Sequence, residues 1–203
     1  LPDRHVQALQ LYANGCIQRQ RRIRMIALNM NHNLESVLRY LQENKLRLVT
    51  AESCTAGLVS SMLAELPGSA CWLECSFVTY SRQAKMTILG VQHETIERYN
   101  LTSEEVAREM AEGALRLSCA NVALADTGLA GPGASGGIPA GTVCFAWSFD
   151  QDGKPRTFSE TRKFEGDRNR VRKSAAEYVI SRIWHYHDLI QGEQRAADTG
   201  RLP

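Results

Sequence analysis

Hydrophobic positions along this chain follow two rhythms, stretches with helical spacing and short unbroken runs. Leu34, Val37, Leu38 and Leu41 lie three and four apart, one face of a helix, and Asn33 in front of them can cap it. Residues 46–50 read as a short buried strand. Leu58, Met62, Leu63 and Leu66 form a second helical stripe, stopped by Pro67-Gly68. Residues 76–80 predict a second strand, and 83–89 a helix ending at Gly90. Thr102 followed three positions later by Glu105 has capping-box spacing, and opens a helix with Val106, Met110, Ala114 and Leu117 inward. Residues 121–125 predict a third strand, 126–137 a glycine-rich loop, and 141–149 a fourth strand before the turn Asp152-Gly153. Residues 157–164 are polar enough to predict an edge strand. Asp167 then caps a long helix with Val171, Ala175, Tyr178, Val179 and Ile183 inward, and the chain after Gly192 is a polar tail.

Strands alternating with helices predict an α/β domain, with a central, mostly parallel sheet covered by helices on both faces. Ligands in such sheets bind beyond the carboxyl ends of the strands. The segments after the first and third predicted strands, around Ser53 and Gly128, both lie there.

The chain has 203 residues, 43% of them hydrophobic and 23% charged. A domain of roughly 150–170 residues buries about two thirds of its unfolded surface, so it needs no disulfide or metal for stability. A net charge of +2 gives no reason to expect nucleic acid. No apolar run is long enough to span a membrane. The six cysteines follow no metal-ligand spacing, so no metal is expected; most lie in apolar segments and read as small core residues. Unpaired thiols fit a cytoplasmic protein. Within residues 1–30 Asp3 is the sole acid, while Arg19, Arg21, Arg22 and Arg24 cluster. These residues are expected to form an extension to a domain over 31–192, with 193–203 as tail.

Three features carry candidate chemistry. Ser53 stands where a buried strand turns into a helix, and helix-terminal N–H groups at such a turn suit a phosphate or an oxyanion. The plain alternative is that Ser53 or Thr55 caps the helix. A serine nucleophile needs a base. His93 lies in a polar stretch, and His185 and His187 face different ways, so no histidine is a convincing partner. Lys85 remains, as a base if burial lowers its pKa, or otherwise as a solvated surface residue. Gly128, Gly131, Gly133, Gly136 and Gly137 predict either an anion-binding nest or a flexible loop, without the spacing of a known nucleotide fingerprint. Arg168, in competition with Arg170 and Arg172, suits an anionic ligand.

These segments together resemble the CinA C-terminal domain family. The resemblance runs through Ala51-Glu52-Ser53-Cys54-Thr55-Ala56-Gly57, then Phe77-Val78-Thr79-Tyr80-Ser81 with Ala84-Lys85. It continues through Gly128-Leu129-Ala130-Gly131-Pro132 with Pro139 and Gly141-Thr142-Val143, and Phe164 with Gly166-Asp167-Arg168. It implies a three-layer α/β/α fold with a mixed sheet. It also implies hydrolysis of nicotinamide mononucleotide to nicotinate mononucleotide and ammonia, with Ser53 as nucleophile, Lys85 as general base and Arg168 as third functional residue. Glu52, Thr55, Tyr80, Gly128, Gly131, Gly133, Gly141 and Thr142 would contact the nucleotide substrate, no cofactor would be needed, and the domain would be a homo-oligomer. Ala56 departs from a usual glycine, Ile138 from a usual charged residue, Arg82-Gln83 from Asn-Glu, and Asn100-Leu101-Thr102 from Gly-Ala-Val; these departures leave two alternatives, a weak or inactive paralogue that serves as a nucleotide-binding or interaction domain, and an amidase on another small amide.

Overall fold

The computed structural model describes residues 34–65 and 67–198. The expectations for residues 1–30, Asn33, Leu66 and the last five residues lie outside that range. The order is α1 (Leu34–Glu43), β1 (Leu48–Glu52), α2 (Leu58–Ala64), a 3-10 turn (Ser69–Cys71), β2 (Leu73–Val78), α3 (Arg82–Leu89), α4 (His93–Tyr99), α5 (Glu104–Arg116), β3 (Val122–Leu129), β4 (Thr142–Gln151), β5 (Lys154–Lys163), α6 (Arg168–Ser181) and α7 (Ile183–Asp198).

The five strands form one mixed sheet in the order β2-β1-β3-β4-β5. β1 pairs parallel with both β2 and β3, whereas β4 is antiparallel to β3 and to β5. Four of the five strands therefore run the same way, although only two of the four pairings are parallel. β5 is an edge strand, as its polarity predicts.

Residues of opposite parity on each strand feed two different cores. On one face Leu48, Val122, Leu124, Phe145, Trp147 and Phe149 meet α1, α2, α6 and α7. On the other, Val49, Ala51, Ala123, Ala125, Cys144 and Ala146 meet α3, α4 and α5. That second face is lined mainly by alanine, and α5 answers with Ala107, Ala111 and Ala114, so helix and sheet pack through short side chains. The first face is filled by aromatic rings, where the Trp147 indole N–H also donates to Val179 O at 2.8 Å. No helix among the described residues is long and apolar enough to cross a membrane.

Several boundaries differ from expectation. The N-cap of α5 is Ser103, whose hydroxyl accepts from Val106 N, so no Thr102–Glu105 capping box forms. Helix α4 has no counterpart in the hydrophobic pattern, because Ile96 is its one buried residue. The expected loop over 126–137 begins late: Asp126 to Leu129 continue β3, paired with Thr142–Phe145 of β4. The expected single last helix is two, divided at Arg182, and the second continues past Gly192 to Asp198. Of the five described cysteines only Cys54 and Cys144 are buried, and all five are free thiols.

Candidate active site

Parallel pairing of β1 with β2 and β3 brings three carboxyl-terminal strand ends to one edge of the sheet. Ser53 follows β1 directly. Thr79 to Ser81 follow β2, and the Ser81 hydroxyl caps α3 by accepting from Ala84 N. That cap fixes where α3 starts, and one turn later Lys85 points back at the β1 turn. Its Nζ lies 2.7 Å from Ser53 Oγ and donates to Thr79 O at 2.6 Å. Residues 32 apart in sequence thus meet, as the serine–lysine proposal requires.

Lys85 is 1% exposed and hydrogen-bonds no carboxylate. Burial brings its pKa down to about 8, although the Asp126 charge and Cys54 pull it back up. A lysine held there is a free amine in a useful fraction near neutral pH. No described histidine lines the cavity; His187 accepts from or donates to Tyr40 Oη at 2.8 Å elsewhere.

Ser53 and Lys85 lie in the wall of a cavity of about 530 Å³, the size of a small-ligand site. Tyr80, Gly128, Ile138 and Arg168 also line it. Arg168 is the first residue of α6, placed by the Asp167 cap, which accepts from Arg170 N. Its guanidinium donates to Gly131 O and to Tyr80 Oη, both at 2.7 Å, bridging two sides of the rim. Arg172 is directed elsewhere, donating to Thr55 O at 2.8 Å. Arg82 and Glu97, an ion pair on the same rim, were not expected to take part.

Other expected substrate contacts are placed differently. Glu52 and Thr55 are buried and do not line the cavity. Glu52 accepts the backbone N–H of Gly57, Val59 and Ser60 at 2.7, 3.1 and 2.8 Å. These are the N–H groups of the N-cap position and first turn of α2, so the helix terminus expected to face an anion is already occupied by a side chain of the protein. Neither Ser53 nor Thr55 caps α2; its N-cap position is Gly57, without a side-chain cap bond. Thr55 N donates to Asp126 Oδ1 at 3.0 Å and is not available to a ligand oxyanion.

The glycines separate into two groups. A Cβ on Gly128 would stand 2.7 Å from Thr142 O, and one on Gly141 2.2 Å from Phe164 O, so both are required by close strand and chain packing. Gly131 meets Arg168 through its carbonyl, and a Cβ on Gly133 would meet nothing within 4 Å. Gly131, Gly133, Gly141 and Thr142 do not line the main cavity; Thr142 borders a shallower depression next to it.

Ala56, the departure in the Ser53 turn, is exposed and outside the cavity lining, with φ +53°. Its methyl adds backbone strain rather than an obstacle to ligand. Ile138 does line the cavity.

Sequence reasoning missed Asp126, which lies buried beneath the Ser53 turn and accepts from Thr55 N. It stands at the end of the apolar run Val122 to Ala125, and a lone carboxyl continuing such a run is the signal that it is buried in the strand.

Most of the chain is similar to known proteins. Residues 30–186 match the CinA C-terminal domain family. A protein of Shigella flexneri called nicotinamide-nucleotide amidohydrolase PncC is 40% identical over 151 residues, 74% of this chain and 90% of that protein. A putative competence-damage inducible protein of Symbiobacterium thermophilum is 44% identical over 158 residues. The chain spans only 37% of that longer relative, and 38% of a CinA-like protein of Chlorobium limicola. The crystal structure of a CinA superfamily protein from Escherichia coli superposes with a TM-score of 0.69 at 35% identity, covering 77% of this chain and 96% of that one. The chain belongs to the CinA C-terminal domain family.

Proposed function

We propose that the protein is an amidohydrolase that converts nicotinamide mononucleotide and water to nicotinate mononucleotide and ammonia. The observation that carries this reading is the 2.7 Å contact between Lys85 Nζ and Ser53 Oγ in the wall of a ligand-sized cavity. The substrate is suggested by the name of the Shigella flexneri relative, nine-tenths of which this chain covers.

With Lys85 as the free amine, one N–H donates to Thr79 O and the lone pair accepts the Ser53 hydroxyl. Ser53 Oγ attacks the carboxamide carbon as its proton passes to Nζ, and the carbonyl electron pair moves to oxygen. The tetrahedral adduct collapses and the C–N bond breaks. Nζ returns the proton to the departing nitrogen, which leaves as ammonia. The amine then takes a proton from water, whose oxygen attacks the acyl-serine ester. Nicotinate mononucleotide departs and Ser53 recovers its proton. Arg168 presents a guanidinium to the anionic part of the substrate.

Ammonia release from nicotinamide mononucleotide tests this reading, and Ser53→Ala is expected to lower it by about 10⁴-fold or more. Turnover surviving that substitution overturns the nucleophile. Ile138 in the cavity wall favours one second reading, the same dyad acting on another small amide. A panel of amides in the same assay separates the two.

A further inference from the structure

Below the Ser53 turn lies a cluster of buried polar groups that the reaction above does not use. Thr55 Oγ1 is 2.7 Å from Glu52 Oε2 and 2.6 Å from Asp126 Oδ2. None of the three residues is more than 1% exposed. A hydroxyl has one proton and donates to one acceptor. With both carboxyls ionised, one of these short contacts would set lone pair against lone pair in a site closed to water. One carboxyl must therefore supply a proton. Glu52 also faces the N–H groups of Gly57, Val59 and Ser60 and the Thr50 hydroxyl, so donors already surround it. Asp126 faces fewer, the backbone N–H of Thr55 and of Ser53.

We propose that Asp126 is a positioning residue that keeps a proton in the working protein, donating it to Thr55, which donates in turn to Glu52, so that the turn carrying Ser53 is locked from below. Burial and the nearby Glu52 charge both raise the Asp126 pKa above the ordinary carboxyl value, against the pull of its hydrogen bonds with Thr55 and Ser53. The consequence for catalysis rests on the amidase reading. An ionised Asp126 favours Lys85 as ammonium, and a neutral one releases it to be an amine. The other titratable and charged groups around the turn are Glu52, the Cys54 thiol, pushed up to about 12, and Arg168 and Arg172 of α6.

Carbon-13 NMR of the side-chain carboxyls reads this proton without any substrate. The carboxyl signal present in the wild type and absent from Asp126→Asn is expected to show the protonated shift at pH 7; an ionised shift at pH 7 overturns the proposal. Labelling of Ser53 by phenylmethanesulfonyl fluoride, followed by intact mass across pH, reads the positioning. Asp126→Ala is expected to slow labelling about a hundredfold. Asp126→Asn, whose amide can donate to Thr55, is expected to recover most of that loss with the Lys85 midpoint where the wild type has it. A midpoint moved to lower pH in Asp126→Asn means that a negative charge has been removed, and contradicts the proposal. A protonated Asp126 beneath a Ser53 that labels in neither form counts against the amidase reading alone.

Discussion

Beneath Ser53, Glu52 alone takes three backbone N–H groups and the hydroxyls of Thr50 and Thr55, Asp126 holds the next turn of chain, and Arg172 closes the Thr55 carbonyl. Gly136, in the cavity wall, and its neighbours Gly133 and Gly137 form a stretch where an added Cβ would meet nothing within 4 Å. The first region is a buried floor whose polar groups point at each other, and the second is an open rim. On the proposed amidase reading the floor holds the reacting serine in place, where a misplacement of about 1 Å costs about a hundredfold in rate. The same reading leaves substrate choice to the rim, which can change without unfolding the sheet.

Three substitutions break or sharpen this division. Glu52→Ala leaves buried N–H groups without an acceptor, and is expected to lower stability by about 3 kcal/mol in urea denaturation. A loss below about 1 kcal/mol would mean that the floor is not held from Glu52. Ile138→Ala, on the rim, is expected to change KM for the amide substrate roughly fivefold to tenfold with kcat nearly unchanged, since a hydrocarbon contact discriminates on that scale. A drop in kcat without a change in KM would place Ile138 with the chemistry instead. Ala56→Gly is expected to do least. It relieves a left-handed backbone that costs roughly 1–2 kcal/mol for a residue with a Cβ, offset in part by the greater freedom of glycine when unfolded, for a net gain of under about 1 kcal/mol in the same denaturation experiment. A loss of Ser53 labelling in this variant would tie the exposed end of the turn to catalysis.

The layers of the fold were legible because most core helices carry an apolar stripe and the central strands β3 and β4 contain unbroken apolar runs, Val122–Ala125 and Val143–Trp147. Helix α4 escaped because one buried isoleucine makes no stripe. The end of β3 escaped because Thr127 and Gly128 look like loop residues, and only pairing with β4 makes them strand. Ser53 was visible as a polar residue after a buried strand. Its partner was not fixed by composition, because lysine is ordinarily solvated, and only the parallel β1–β2 pairing carries Lys85 into reach. The family resemblance supplied that pairing of residues where local pattern left it open. Glu52 and Thr55 are buried beneath the turn rather than set in the cavity wall, since a motif shows which residues travel together and not which way they face.

The pH dependence of kcat/KM for ammonia release tests the Ser53–Lys85 dyad most directly. Lys85 acts as a base only when deprotonated, and burial places that deprotonation near pH 8. Activity is therefore expected to rise with pH toward a plateau while the fold persists, with a midpoint at about 8 that a protonated Asp126 moves lower. Activity that stays level or falls as pH climbs from 5 to 8, with the protein still folded, would contradict a neutral lysine as the base.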